Sequence, residues 1–281
     1  MKSTHAHVVS CLLAELEISI ASGRLARRGG LRVLDVGCGY GGLMADIANA
    51  LGADFRIEVF GYEISSHRGA DVEYIEKTLA CLRSSARNFA WEDPIYVINP
   101  GDPIPFDENT FDFVVSNQVI EHVMDLDHLV EDLGRVLKPG GVGIHHFPAI
   151  ESLVDPHSGV LLAHRMPNDV WLHRWLRFCG FLRCGKFPTY HKEHDRSLDE
   201  FADEFTAYLR RYTYFRKAYE VASRFEEGGF ECECKYGLHL LKRWLRNVDD
   251  QVVVAKAYPP LAERVSNVLL KRFASLTLVH S

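Results

Sequence analysis

The stretch that decides the fold is Val33 to Leu43, V-L-D-V-G-C-G-Y-G-G-L. Val33, Leu34 and Val36 form a short apolar run suited to a strand buried on both faces. Gly37, Gly39 and Gly41 follow at alternate positions, and a residue without a Cβ lets a ligand approach the backbone closely. Leu43, Met44, Ile47 and Leu51 then recur at helical spacing, with Asp46 and Asn49 between them. Strand, glycine turn and helix in that order predict the first crossover of an α/β sheet whose ligand lies at the carboxyl end of strand 1. A G-x-G-x-G alone is also a common structural turn, so the segments around it carry the decision.

The chain has 281 residues, 47% of them hydrophobic, which suits one large domain or a domain with a substantial insertion. A net charge of −6 argues against a nucleic-acid groove as the main surface. Glu15 and Glu17 interrupt the apolar run from Val8 to Ile20, so a secretory signal is not expected there, and no uncharged apolar stretch reaches membrane-spanning length. The seven cysteines are scattered and none has zinc-ligand spacing. They read as reduced thiols of a cytoplasmic protein.

Taken in order, His5 to Ser22 reads as an amphipathic helix, either a cover on one edge of the sheet or a lid over the ligand mouth. Phe55 to Ile64 alternates into a second strand ending at Glu63. A carboxylate at that strand end can accept from both hydroxyls of a ribose; the plainer alternative is a surface glutamate. Ser65 or Ser66 would cap a helix from about Ala70 to Asn88. Ile95 to Asn99 reads as strand 3, and Phe111 onward as strand 4, turning polar at Ser116, Asn117 and Gln118. Leu126 to Leu137 reads as a helix stopped by Lys138-Pro-Gly-Gly141, and Val142 to Phe147 as strand 5, ending in His145-His146.

The series V-L-D-V-G-C-G-Y-G, G-Y-E-I, G-D-P-I-P-F, F-D-F-V-V-S-N-Q-V-I-E-H-V and L-K-P-G-G resembles the class I S-adenosylmethionine-dependent methyltransferases, nearest their small-molecule, methyltransferase type 11-like group. The resemblance covers about Leu31 to Pro148. A dehydrogenase would show G-x-G-x-x-G, whereas here the third glycine comes one residue early. The resemblance implies a Rossmann-like, doubly wound, seven-stranded, mostly parallel sheet with an antiparallel last strand. It implies that Asp35, Gly37, Cys38, Gly39, Tyr40 and Gly41 line the methionine part of S-adenosylmethionine. Glu63 would hold the ribose, Ile64 would pack on adenine, Asp102 with Pro103 would meet the adenine amino group, and Asn117 and Gln118 would lie near the sulfonium. It implies methyl transfer to a small molecule or glycan, at oxygen, with S-adenosylhomocysteine as product. The alternatives are a regulatory protein that binds the cofactor without turnover, and a protein or RNA methyltransferase. An inactive relic would be expected to lose Asp35, Glu63 or Asp102, and none is lost.

His145 and His146 stand at the end of strand 5, and alternation sends one to each side of the sheet. One of them could act as general base near neutral pH, or both could be structural. His157, His164, His173, His191 and His194 cluster nearby, but no H-x-x-x-H or H-E-x-x-H spacing occurs, so no metal is expected. The expected division is 1–30 as an N-terminal cap, 31–148 as the cofactor-binding core and 149–216 as a helical insertion before strand 6. Residues 217–260 would complete the sheet with strands 6 and 7, the last at Gln251 to Tyr258, and 261–281 would form a C-terminal helix. The insertion is rich in aromatic and basic residues, with helices expected at about Asn168 to Cys179 and Leu198 to Lys217. Its aromatics read either as core or, with Arg165 and Arg174, as a pocket for an anionic or aromatic substrate. The C-terminal helix reads as docked on the domain or at a dimer contact, with a membrane surface as the minor reading. Oligomeric state and acceptor are not legible.

Overall fold

The computed structural model describes residues 2–26, 30–65, 72–246, 252–256, 258–263, 265–266 and 276–281. Helix α1 (Ser3–Ala21) leads to strand β1 (Leu31–Val36), helix α2 (Gly42–Leu51) and strand β2 (Ile57–Ile64). Helix α3 (Val72–Ser85), strands β3 (Ile95–Ile98) and β4 (Phe111–Asn117), helix α4 (Leu126–Val136) and strand β5 (Leu137–Phe147) follow. Ser66 and the start proposed for the second sheet helix at Ala70 lie outside the described residues.

The sheet has seven strands in the order β3-β2-β1-β4-β5-β7-β6, where β6 is Cys232–Cys234 and β7 is Leu276–His280. The first five strands pair in parallel, and β7 runs antiparallel between β5 and β6. The doubly wound, mostly parallel sheet with one antiparallel strand is therefore present. Alternation divides the strands between two cores. Val33, Phe113, Val115 and Ile144 pack with α1 and α2, while Leu34, Val36 and Val114 pack with α4 and the helix α8 introduced below. Helix α1 thus covers a face of the sheet rather than its edge.

Between β5 and β6 lie helices α5 (Asp169–Phe181), α6 (Phe187–His194) and α7 (Leu198–Arg211), followed by α8 (Ala218–Glu227). Helices α5 to α7 share a core of their own, centred on Leu172, Leu176, Phe201 and Leu209. Much of the aromatic content serves that core, with Trp175, Phe187, Tyr190, Phe205, Tyr208 and Phe215 packed against it. Trp171, Phe178, Phe181 and Tyr212 are exposed instead. The arginines mostly tie the insertion together: Arg177 pairs with Asp199 at 2.6 Å, and Arg210 with Asp169 at 3.0 Å. The end of the second expected helix, Tyr212 to Lys217, is not helical.

Two expectations about the last third are corrected. The closing strand is Leu276–His280, not Gln251 to Tyr258. Residues 252–256 instead lie along α1, where Ala255 N donates to the Ser10 carbonyl at 3.0 Å and Val253 N to Ser10 Oγ at 3.2 Å. The expected C-terminal helix gives way to strand from Leu276, because His145 and Gly143 of β5 accept the β7 residues in register; its middle, 267–275, lies outside the described residues. A helix absent from the sequence reading, α9 (Gly237–Arg246), follows β6. Among the described residues, no helix is long and apolar enough to cross a membrane.

Candidate cofactor and methyl-transfer site

The glycine turn bends through left-handed backbone at Gly37, Gly39 and Gly41, with φ of 66°, 54° and 71°. Space also demands the missing side chains. A Cβ on Gly37 would lie 2.7 Å from Val119 Cγ2, and one on Gly41 2.7 Å from Leu82 Cδ2. The turn is pinned from the next strand. Cys38 N donates to the Tyr62 carbonyl at 3.0 Å, and Gly39 N donates to Glu63 Oε2 at the same distance. Ile64 N donates to the other carboxylate oxygen at 3.1 Å. The Tyr74 hydroxyl of α3 donates to the Gly39 carbonyl, and its ring stands 5.6 Å from that of Tyr40. Burial raises the Cys38 thiol pKa well above its ordinary value, so this cysteine is an inert wall.

Asp35 is 2% exposed, and its Oδ2 has no hydrogen-bond partner among the described residues. Burial, and then the nearby Glu63 charge, push its pKa well up. A buried carboxylate oxygen without a donor is costly, and a cationic ligand group would satisfy it. Asp102 Oδ2 accepts from the Asn99 N and Nδ2, both at 3.0 Å, and Ser65 Oγ donates to Asn99 Oδ1 at 3.2 Å. The loop after β3 is thereby moored to the end of β2, where Ile64 stands half-buried opposite Ile98. Pro103 lies apart from that mooring, in a surface cleft with Arg32, Phe106 and Arg135.

At the end of β4, Asn117 Nδ2 donates to Thr4 Oγ1 at 3.2 Å, while its buried Oδ1 has no partner among the described residues. Gln118 adopts left-handed backbone at φ 60°, uncommon for a side chain of its size, and its N donates to the His146 carbonyl at 2.7 Å. The amino end of α1 therefore reaches the mouth: besides Thr4, His5 Nδ1 lies 3.0 Å from Asp46 Oδ2. Thr4, His5 and Tyr74 carry no sequence signal; tertiary packing alone brings them here.

His145 and His146 point to opposite faces of the sheet, and both are buried. His145 is fully buried against Phe225, with Nδ1 2.8 Å from Ser116 Oγ and Nε2 2.9 Å from His280 Nε2. Burial lowers its pKa to about 3. His146 is 2% exposed, beside the His7 ring and with Nδ1 3.2 Å from Thr277 Oγ1. A general base needs a ring nitrogen within reach of the acceptor, and in this structure both rings of the pair are buried, His145 with both nitrogens partnered. Glu121 and His122 of the V-I-E-H-V motif converge beside β4 with His157, one of the clustered histidines, a meeting that no spacing in the sequence signals. Burial raises the Glu121 pKa to about 8.

The model of a methyltransferase domain family matches residues 13–235, most of the chain. The chain belongs to that family. This methyltransferase domain is of the class I, S-adenosylmethionine-dependent kind, and S-adenosylmethionine is the family's cofactor. It is similar to the ubiquinone biosynthesis O-methyltransferase of Mesorhizobium japonicum, 31% identical over 113 residues, covering 40% of this chain and 39% of that protein. The human mitochondrial ubiquinone biosynthesis O-methyltransferase is 34% identical over 112 residues, covering 40% of this chain and 27% of its own. The sterol 24-C-methyltransferase of Schizosaccharomyces pombe is 30% identical over 120 residues, covering 42% and 28%. The matches thus span well under half of these relatives' own lengths. The residues of the methyltransferase domain fit its cofactor on structural grounds: an unsatisfied buried Asp35 oxygen stands at the strand end, beside a turn of left-handed glycines.

Proposed function

We propose that this chain transfers a methyl group from S-adenosylmethionine to an oxygen of a small molecule. The observation that carries the reading is Glu63, whose carboxylate reaches across from β2 to the Gly39 N–H. It keeps lone pairs for two ribose hydroxyls while holding the turn in shape. Gly37 to Gly41 would hold the methionine part, Asp35 its ammonium group, Ile64 and Asp102 the adenine, and Asn117 and Gln118 the region of the sulfur. Bound there, the cofactor supplies a methyl already activated on a sulfonium. The protein's task is then alignment and exclusion of water. Helices α5 to α7 would form the substrate cover, and the names of the similar proteins, for ubiquinone and sterols, favour a small organic acceptor.

Calorimetric titration of the full chain with S-adenosylmethionine, S-adenosylhomocysteine and NAD tests the cofactor half. Both sulfur compounds should bind, NAD should not, and Glu63→Ala should weaken the sulfur compounds by at least tenfold. Equal affinity in wild type and Glu63→Ala would remove the basis of the reading. Acceptor screening by transfer of labelled methyl tests the other half.

A further inference from the structure

Just beyond Val119, three side chains converge that the cofactor site does not use. Glu121 and His122 lie in the short 3-10 turn Ile120–His122 after β4, and His157 comes from the loop that opens the insertion. One ligand atom from each falls within 4.8 Å of the others. The two imidazole Nε2 atoms are 3.3 Å apart. Two nitrogens held about 2.0–2.1 Å from one tetrahedral zinc sit about 3.3–3.4 Å apart, so the rings already stand at the spacing of two ligands.

The protons point the same way. His122 Nδ1 lies 2.5 Å from the Tyr212 carbonyl oxygen, which can only accept. His157 Nδ1 faces Asp155 Oδ2 at 3.4 Å. Asp155 is fully buried, and its Oδ1 accepts from His157 N, Ser158 N and Ser158 Oγ at 3.0, 2.7 and 3.0 Å. Hydrogen on Nδ1 of both rings suits these partners, and it leaves Nε2, the atom each ring turns toward the other, as the ligand atom. Glu121 is 1% exposed, and neither carboxylate oxygen has a hydrogen-bond partner among the described residues. A proton shared between the rings would relieve the histidines but leave Glu121 unsatisfied; a divalent cation satisfies all three.

We propose that Glu121, His122 and His157 bind one divalent transition-metal ion, zinc by preference, through two imidazoles and a carboxylate. A fourth position is left for water or an oxygen ligand, and Asp155 and the Tyr212 carbonyl act as outer partners that orient the rings. The ion bridges the β4 turn to the insertion. The proposal stands independently of the methyl-transfer reading.

The test is titration of the chelator-stripped full chain with cobalt(II) and zinc(II), with the visible cobalt spectrum as readout. The wild type should take up one equivalent, with ligand-field bands and no intense sulfur-to-cobalt band. His122→Ala and His157→Ala should lose affinity by more than the roughly 10–100-fold expected of Asp155→Asn, which keeps the shape and removes the outer charge. Circular dichroism checks folding; should either histidine variant fail to fold, Asp155→Asn supplies the same readout. No cobalt uptake, a sulfur-to-cobalt band placing the ion on cysteines, or affinity unchanged in folded variants overturns the proposal. S-adenosylmethionine is titrated in parallel: metal bound with no cofactor bound would leave this site standing and remove the reading above it.

Discussion

The Nε2 atoms of His145 and His280 lie 2.9 Å apart across the seam between β5 and β7, with the rings stacked at 5.0 Å. Phe225 lies against both, Phe230 against His280, and Ser116 holds the outer nitrogen of His145. Burial pushes both pKa values down, that of His145 to about 3, and a charge on His145 lowers His280 further. Burial lowers His7 too, with His146, His239 and Arg243 adding to the effect, and burial followed by the Arg243 and Lys242 charges takes His239 to about 4. In each case the folded pKa lies below the unfolded one. The stability these groups contribute is full above about pH 6.5 and is lost as pH falls toward the folded values, by up to about 1.4 kcal/mol per pH unit for each. Asp35 and Glu121, raised in the folded chain, act in the opposite sense but are fewer. Urea unfolding should therefore show stability falling from pH 6.5 to 4.5. A flat or rising profile would mean that the histidines carry charge in the folded chain.

The same seam makes Gly143 irreplaceable. It pairs with His280 in register, and a Cβ there would sit 1.9 Å from His280 Nε2. The ring cannot swing aside without displacing Phe225 or Phe230. Gly143→Ala should cost about 3 kcal/mol or more. Adding His280→Ala should recover part of that loss, a coupling that a double-mutant cycle measures. A neutral single substitution would refute the packing.

In the glycine turn, Gly37→Ala meets both a backbone at φ 66° and the Val119 side chain. The turn must shift away from β4, and cofactor affinity should drop more than tenfold, measured by calorimetry. Val119→Ala in the same chain removes the clash but not the backbone strain, so it should restore only part of the binding.

Helix α7 begins with a reciprocal cap. Ser197 Oγ accepts from Glu200 N at 3.2 Å, and Glu200 Oε2 accepts from Ser197 N at 2.8 Å. Ser197→Ala should cost about 1 kcal/mol of stability. Because helices α5 to α7 have a separate core, cofactor affinity should stay at the wild-type value. A change in that affinity would show that the insertion and the glycine turn are energetically linked.

The legible part of the fold was the part dictated by local pattern. Buried apolar runs at Val33, Val114 and Ile144, glycines at the turn and the helix stop at Lys138 to Gly141 each specify their own conformation. The closing strand was not of that kind. V-V-V-A-K at 252–256 has stronger strand character than L-T-L-V-H at 276–280, yet the first lies along a helix and the second enters the sheet. The second seats its His280 ring over Gly143, a fit that depends on a residue far away in the chain. The glycine turn was likewise readable from spacing, whereas the Glu121, His122 and His157 cluster was not: two of its members are adjacent, but the third arrives on a loop with no periodicity. The histidines of β5 were readable as alternating, but their burial depends on β7 and α8, which arrive later.

Thr277 Oγ1 lies 2.7 Å from His7 Nε2 and 3.2 Å from His146 Nδ1, so one hydroxyl joins the earliest helix, the middle of the sheet and its final strand. Synthesis of this chain cannot finish its sheet in the order in which the strands emerge. Until residues 276–280 are made, β5 exposes a bare row of backbone donors and acceptors, and β6 has no strand to join. That interval is the one in which a nascent chain is most open to pairing with a stranger.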